Sequence, residues 1–310
     1  MLLKYKSKGI SLVEVLAAML ISVIIIAAAI VFFIDIRNVH RIKEDELHRN
    51  IKALKVEQVL DHAMANVGMF CPAGTEHLSS YELDGKSMYD DTGDGLSVVN
   101  HGIVSTGSQE SVSIGSNLTN MVENTDYLAI QRSEHYSLIT DVDGVSLTLK
   151  NTIEGLEEGD YVVSCNRRSV EVLKAISVSD NEINLNTDIT NEDTLRSIDV
   201  GDFIGDYQVN VYYIRAVKDD AGNTIAHSLY LLIRSAANNA MSYELIRGVD
   251  NLHIQLVKAS EINVGEQVSW QDVVGMTTID SSYKAIKISF DIVENDTSQR
   301  YSQIIPVRVV

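Results

Sequence analysis

Residues Val15 to Ile34 are twenty consecutive positions without a charge, and nearly all of them are apolar. In a helix rising about 1.5 Å per residue, that run is about 30 Å long, the thickness of a bilayer's hydrocarbon core. Lys4, Lys6 and Lys8 precede it, with no acid among the first nine residues. That asymmetry leaves the N-terminus in the cytoplasm and carries the remainder across the membrane. An ordinary secretory signal would be cut after small residues such as Ala27-Ala28-Ala29. Here the apolar run continues from Ile30 to Ile34, where a signal normally turns polar. A plain uncleaved anchor is the other simple reading.

Neither reading accounts for Glu14. A carboxylate placed deep in a spanning helix costs roughly 2.5–3.5 kcal/mol on insertion scales, so it asks for a partner. If the chain is cut after Gly9, the new amino terminus is Ile10 and Glu14 becomes the fifth residue. An ammonium on one subunit can then pair with Glu14 on a neighbour as two helices pack side by side. Such a pair would set the axial register of an assembly, and removing either partner strands a buried charge at roughly 3–5 kcal/mol.

The stretch Lys8-Gly9-Ile10-Ser11-Leu12-Val13-Glu14-Val15-Leu16 resembles the class III signal of type IV prepilins and type II secretion pseudopilins. The pattern is a basic leader, Gly, a hydrophobic residue, Ser or Thr, Leu, any residue, Glu, and a long apolar helix. The resemblance implies that a prepilin peptidase cuts between Gly9 and Ile10 and methylates the new amino group. It also implies a bacterial inner-membrane precursor, single-pass with its N-terminus inside and its head in the periplasm, later incorporated into a pilus fibre or its tip.

After Ile34 the chain turns amphipathic without a breaker, because no proline precedes Pro72 and no glycine lies between Gly9 and Gly68. Ile36, Val39, Ile42, Leu47, Ile51, Leu54, Val59 and Ala63 recur at mostly helical spacing. One helix from about Ser11 to Val67 is expected, stopped near Gly68 and Pro72. Many major pilins carry a helix-kinking proline in the apolar half, and this chain has none. The organisation read from the sequence is a leader over 1–9, a pilin helix over 10–68 with its transmembrane part at 15–34, and a β-rich extracytoplasmic head over 69–310. The fold class is α+β, a long transmembrane and then amphipathic helix packed on a mostly antiparallel β-sheet head.

Residues 71–124 read as loops with two or three short strands. Tyr89-Asp90-Asp91-Thr92-Gly93-Asp94-Gly95 has the look of a calcium loop but departs from the EF-hand pattern at Thr92 and at His101, where a bidentate Glu belongs. An acidic turn is the simpler account. Beyond that, strands are expected at 127–132, 145–150, 161–165, 170–178, 203–217, 225–234, 242–245, 252–258, 285–292 and 302–309. Asp219-Asp220-Ala221-Gly222-Asn223 makes a hairpin of the fifth and sixth. Val209, Val211 and Tyr213 alternate with Asn210, Tyr212 and Ile214, as in a sheet with one wetter face. Three segments are similar to PilW-type minor pilins and, more loosely, to GspJ-type pseudopilins. These are Tyr212-Tyr213-Ile214, Ser228-Leu229-Tyr230 and the run from Tyr243 to Leu252.

The two cysteines, Cys71 and Cys165, lie 94 positions apart and form no zinc or redox motif. In an oxidising compartment they can bridge and tie the helix-proximal loop to the sheet, or remain two separately buried thiols. No GxSxG, HExxH, Walker, GxGxxG or CxxC motif is present, and no enzyme activity or cofactor is expected. His40 and His48 read as members of a solvated helix face.

The formal net charge is −18; without the first nine residues 22 basic residues face 43 acidic ones, or −21. Direct nucleic-acid binding is therefore not expected, although Arg167 and Arg168 could form a local basic patch. The expected partners are the inner membrane, a prepilin peptidase, and other minor and major pilins, with no small-molecule substrate. The family resemblance implies priming or capping a pilus in support of adhesion, twitching motility or DNA uptake. A type II secretion pseudopilin is the neighbouring reading, and a single-pass anchored ligand-binding module is the alternative of another class.

Overall fold

The computed structural model describes residues 12–65, 68–69, 71–72, 104–108, 118, 120–166, 170–186, 198–234, 240–262, 268–273, 277–279, 282–295 and 297–307. They form one long helix and a β-rich head, and the chain divides into two compact units, residues 1–51 and 52–310.

Helix α1, Leu12–Ala65, lies within the expected span. In the first unit its side chains from Leu12 to Ile34 are exposed around the whole circumference. Leucines, isoleucines and valines in that state need lipid or other helices around them. Ser22 does not interrupt the run, because its hydroxyl donates to the Ala18 carbonyl at 2.7 Å. In the second unit the end of α1 buries Ala53, Val56, Leu60 and Ala63, a 3-4-3 spacing that defines one helical stripe.

The head contains two sheets and a barrel. The first sheet runs β12 (Ala240–Arg247), β11 (Thr224–Arg234), β10 (Gln208–Lys218), β3 (Asp126–Ser133), β2 (Val104–Ser108) and β15 (Thr277–Ile279), every pair antiparallel. Strand β1 (Gly68–Met69) lies parallel beside the last two residues of β3. The second sheet runs β14 (Gln271–Asp272), β13 (Val249–Lys258), β16 (Tyr283–Glu294) and β17 (Thr297–Pro306). Its central strand shows the period-two rule plainly: Ile286, Ile288, Phe290 and Ile292 all face inward. The stripe of α1 packs with these residues and with Leu128, Ile130 and Ile214 of the first sheet in one core. Lys52 pairs with Glu294 at 3.1 Å beside that core.

The expectation of a wetter face on β10 is corrected here. Its residues from Val209 to Ile214 are buried on both sides. Tyr212 and Ile214 join the core beneath α1, while Val209, Val211 and Tyr213 enter a second cluster with Tyr161, Val163 and Cys165. The strand is central, and a separate module covers its other face.

That module is a closed barrel of order β4 (Tyr136–Asp143), β5 (Ser146–Leu149), β8 (Glu182–Leu185), β7 (Val170–Ser179), β6 (Tyr161–Cys165) and β9 (Phe203–Asp206). It is inserted between β3 and β10, which pair directly with each other through Gln208 and Arg132. The single strand expected over 203–217 is therefore two strands, one in the barrel and one in the sheet, separated at Tyr207. Strands β4 and β8 were not foreseen at all.

The barrel is built from two copies of one three-stranded unit. In β4–β5 and β7–β8 equivalent residues are 36 positions apart. Gly144 and Asp180 both hold positive φ in their turns, and Leu147 pairs with its own equivalent, Ile183. In the third strand of each unit the offset is 42, and Val163 pairs with its equivalent, Gly205. The Gly159-Asp160 and Gly201-Asp202 turns repeat the same bonds. Gly159 donates to the Ala175 carbonyl at 2.8 Å, and Gly201 donates to that of Ile139 at 2.9 Å. Asp160 accepts from the Glu157 amide, and Asp202 from that of Asp199. The interior is self-contained, with Ile139, Leu147, Val162, Ile183, Leu185 and Ile204 at its centre.

Candidate assembly site and the anchoring of the head

Glu14 lies exposed in the first turn of α1, among exposed Leu12, Val13, Val15 and Leu16. An apolar surface around an acidic group at one helix end suits association with other helices, where a cationic partner can meet the acid. Gly9 and Ile10 lie outside the described residues, as do the Tyr89–Gly95 loop, His101, Arg167 and Arg168. Further along, Leu47, Ile51 and Leu54 are exposed at four- and three-residue spacing. His40 and Glu44 form an exposed pair at 3.9 Å, in keeping with the solvated face expected there.

Cys71 and Cys165 are joined in a disulfide, with Cα atoms 6.0 Å apart. Both are buried, in the cluster shared by the first sheet and the barrel base. The sequence placed the far end of this bridge in the sheet; Cys165 instead ends barrel strand β6. Closing so long a loop is worth about 4–5 kcal/mol in the chain-entropy account.

The barrel's entry and exit are clamped by one carboxylate. Asp206 Oδ1 accepts from the amides of Glu134 and His135, both at 2.8 Å, and from the Ser133 hydroxyl at 3.3 Å. Its Oδ2 meets His135 Nδ1 at 3.3 Å and accepts from Gln208 Nε2 at 3.2 Å. Beside it the Tyr207 hydroxyl donates to Gln131 at 3.1 Å, and burial pushes the Tyr136 phenol up to about 12, so it stays neutral. Gly205 is required at this junction, because a Cβ there would lie 2.6 Å from Ser133 Oγ and 2.8 Å from the His135 carbonyl oxygen.

A second polar group links the two sheets. Buried Asp126 of β3 accepts from the Ile254 amide of β13 at 2.7 Å and pairs with His253 Nδ1 at 3.1 Å. His253 Nε2 lies 3.1 Å from Asp272, which also accepts from Gln255. Burial raises the Asp126 carboxyl, against the Ile254 hydrogen bond and the His253 charge. Neither group was singled out from sequence, since their members lie up to 128 positions apart. The repeated Gly-Asp dipeptides, with the turn residues, were the local trace of the barrel's internal repeat. Among the described residues, no set of three or more His, Cys, Asp or Glu side chains is arranged to hold a metal ion.

Residues 4–30 match the family model described as the prokaryotic N-terminal methylation motif. No curated protein and no solved structure matches the chain. The protein therefore carries a prepilin-like N-terminal motif. The motif leads into a helix long and apolar enough to cross a membrane, followed by a disulfide-tied β-rich head. Such a motif implies membrane association and processing by a prepilin peptidase.

Proposed function

We propose that the chain is a minor pilin of the PilW kind, cleaved after Gly9, methylated on Ile10, and assembled through α1 to prime or cap a type IV pilus. The observation that carries this reading is the methylation motif over residues 4–30 with Glu14 in the first turn of α1. Glu14 is the residue we assign to register, as the partner of a neighbouring subunit's methylated amino terminus. The exposed apolar circumference from Leu12 to Ile34, and Leu47, Ile51 and Leu54 below it, supply surface for helix-on-helix packing. No catalytic role is assigned, and adhesion, motility or DNA uptake follow from the filament rather than from a reaction.

Intact mass and N-terminal sequencing, in cells with and without prepilin peptidase, test the reading. The expected product begins at methylated Ile10 and disappears without the peptidase; a chain beginning at Met1 or Ile30 removes the proposal. Given correct processing, Glu14→Ala should leave membrane insertion intact and abolish incorporation into filaments. Incorporation into a secretion pseudopilus instead would retain the chemistry and change the machine.

A further inference from the structure

Strand β3 is the hub of the head. It pairs with β10, β2 and β1, and it runs straight into the barrel at Tyr136. Along the backbone, the way from α1 into the barrel passes through residues 66–135, and so through β2 and β3. A pull on the barrel, resisted at α1, would enter β3 at Ser133 and peel the central strand of the first sheet.

The disulfide opens a second route. Helix α1 ends at Ala65, β1 is Gly68–Met69, and Cys71 stands two residues further on, bonded to the last residue of β6. Residues 72–164, which contain β2 to β5 and all of β6 but its last residue, become a closed loop off this route. The two routes meet at one place, because β1 lies beside Arg132 and Ser133, the end of β3 from which the chain leaves for the barrel. Asp206 holds that same corner closed through Ser133, Glu134 and His135. Burial of both cysteines keeps the bond from reductant while the head is folded.

We propose that Cys71–Cys165 is a tension tie, carrying a pull on the barrel directly into the end of α1 and keeping β3 out of the stressed path. Its usefulness rests on the filament reading, in which neighbouring subunits hold α1 while the head is pulled; its mechanical action does not.

Single-molecule pulling of the full chain in detergent tests this, with handles coupled through unnatural amino acids at exposed Lys55 and Ser179. The oxidised protein should extend by at most about 100 Å between handles, and by about 430 Å once reductant is admitted while the same molecule is held extended with the bond exposed. The first rupture should also need more force in the oxidised state. Cys71→Ser/Cys165→Ser should behave as the reduced molecule, and the same-molecule reduction serves if that variant does not fold. A long extension in the oxidised chain, or one first-rupture force with and without the bond, overturns the tie. The N-terminal mass of the same preparation reports on the filament reading separately. An unprocessed chain that still shows the short extension keeps the tie and removes the filament.

Discussion

The barrel and the two-sheet body solve the problem of a core in opposite ways. The barrel fills its interior with its own residues, in two equivalent halves, and closes every sheet edge within its ring. The body's core is completed by a piece of another element, the stripe Ala53, Val56, Leu60 and Ala63 of α1. A module that carries its own interior can be inserted between two neighbouring strands, meeting its host at a closed junction and at one shared buried face. The body, by contrast, depends on the same helix whose apolar part is long enough to cross a membrane. Stability of the body is therefore coupled to the helix, and stability of the barrel is not.

The sharpest way to break this contrast is Leu60→Ala. Leu60 is fully buried between the sheets, so the change should cost about 2–5 kcal/mol. Hydrogen exchange should show lost protection at Ile288 and Phe290 while Leu147 and Ile183 stay protected. Equal loss in both regions would mean that body and barrel unfold as one unit. Excising residues 133–207 in favour of a two-residue Asn-Gly turn, with Cys71→Ser, is the complementary test. β3 and β10 already pair across the junction, so the body should keep its sheet signal by circular dichroism.

Removing the disulfide through Cys71→Ser/Cys165→Ser comes next, at about 2–5 kcal/mol by urea denaturation. The loss should fall on the docking of the barrel against Tyr127 and Tyr213 rather than on the barrel interior, so those side chains should gain solvent exposure first. Smaller again is Gly205→Ala. The added methyl meets a hydroxyl that can turn away and a backbone carbonyl that cannot. About 1–3 kcal/mol is expected, with weaker protection of the Glu134 and His135 amides.

How much of this was legible in the sequence follows from the range of each interaction. The membrane helix and its Glu14 rest on contiguous residues, and the helix lies within the span read from Ser11 to Val67 because nothing between Gly9 and Gly68 breaks it. Strand existence was largely legible from apolar alternation, as at Leu252–Lys258, which falls within β13. What could not be read was which sheet each strand joins. Phe203 to Val217 looks like one strand, because apolar runs report burial and not the partner, and the switch at Tyr207 depends on Asp206 reaching residues more than 70 positions away. The barrel's symmetry left only Gly-Asp dipeptides and turn residues as traces. The disulfide was one of two open readings until the fold brought the cysteines together.

The link between the body's two sheets gives the smallest and most specific effect. Asp126 is buried, and burial raises its carboxyl above the ordinary value of 3.8. The folded protein therefore holds that proton more tightly than the unfolded chain does. Stability associated with this group is fully present below the unfolded value and is lost as pH rises through the folded one. Asp126→Asn removes the titration while leaving an oxygen to accept from the Ile254 amide. The stability of the wild type relative to this variant should accordingly fall as pH rises from about 3 to about 6, read from paired urea titrations. A relative stability that rises over the same interval would mean that the His253 charge and the Ile254 hydrogen bond outweigh burial at Asp126. The sheet-to-sheet link would then be a favourable ion pair rather than a buried carboxylate held at a cost by the core around it.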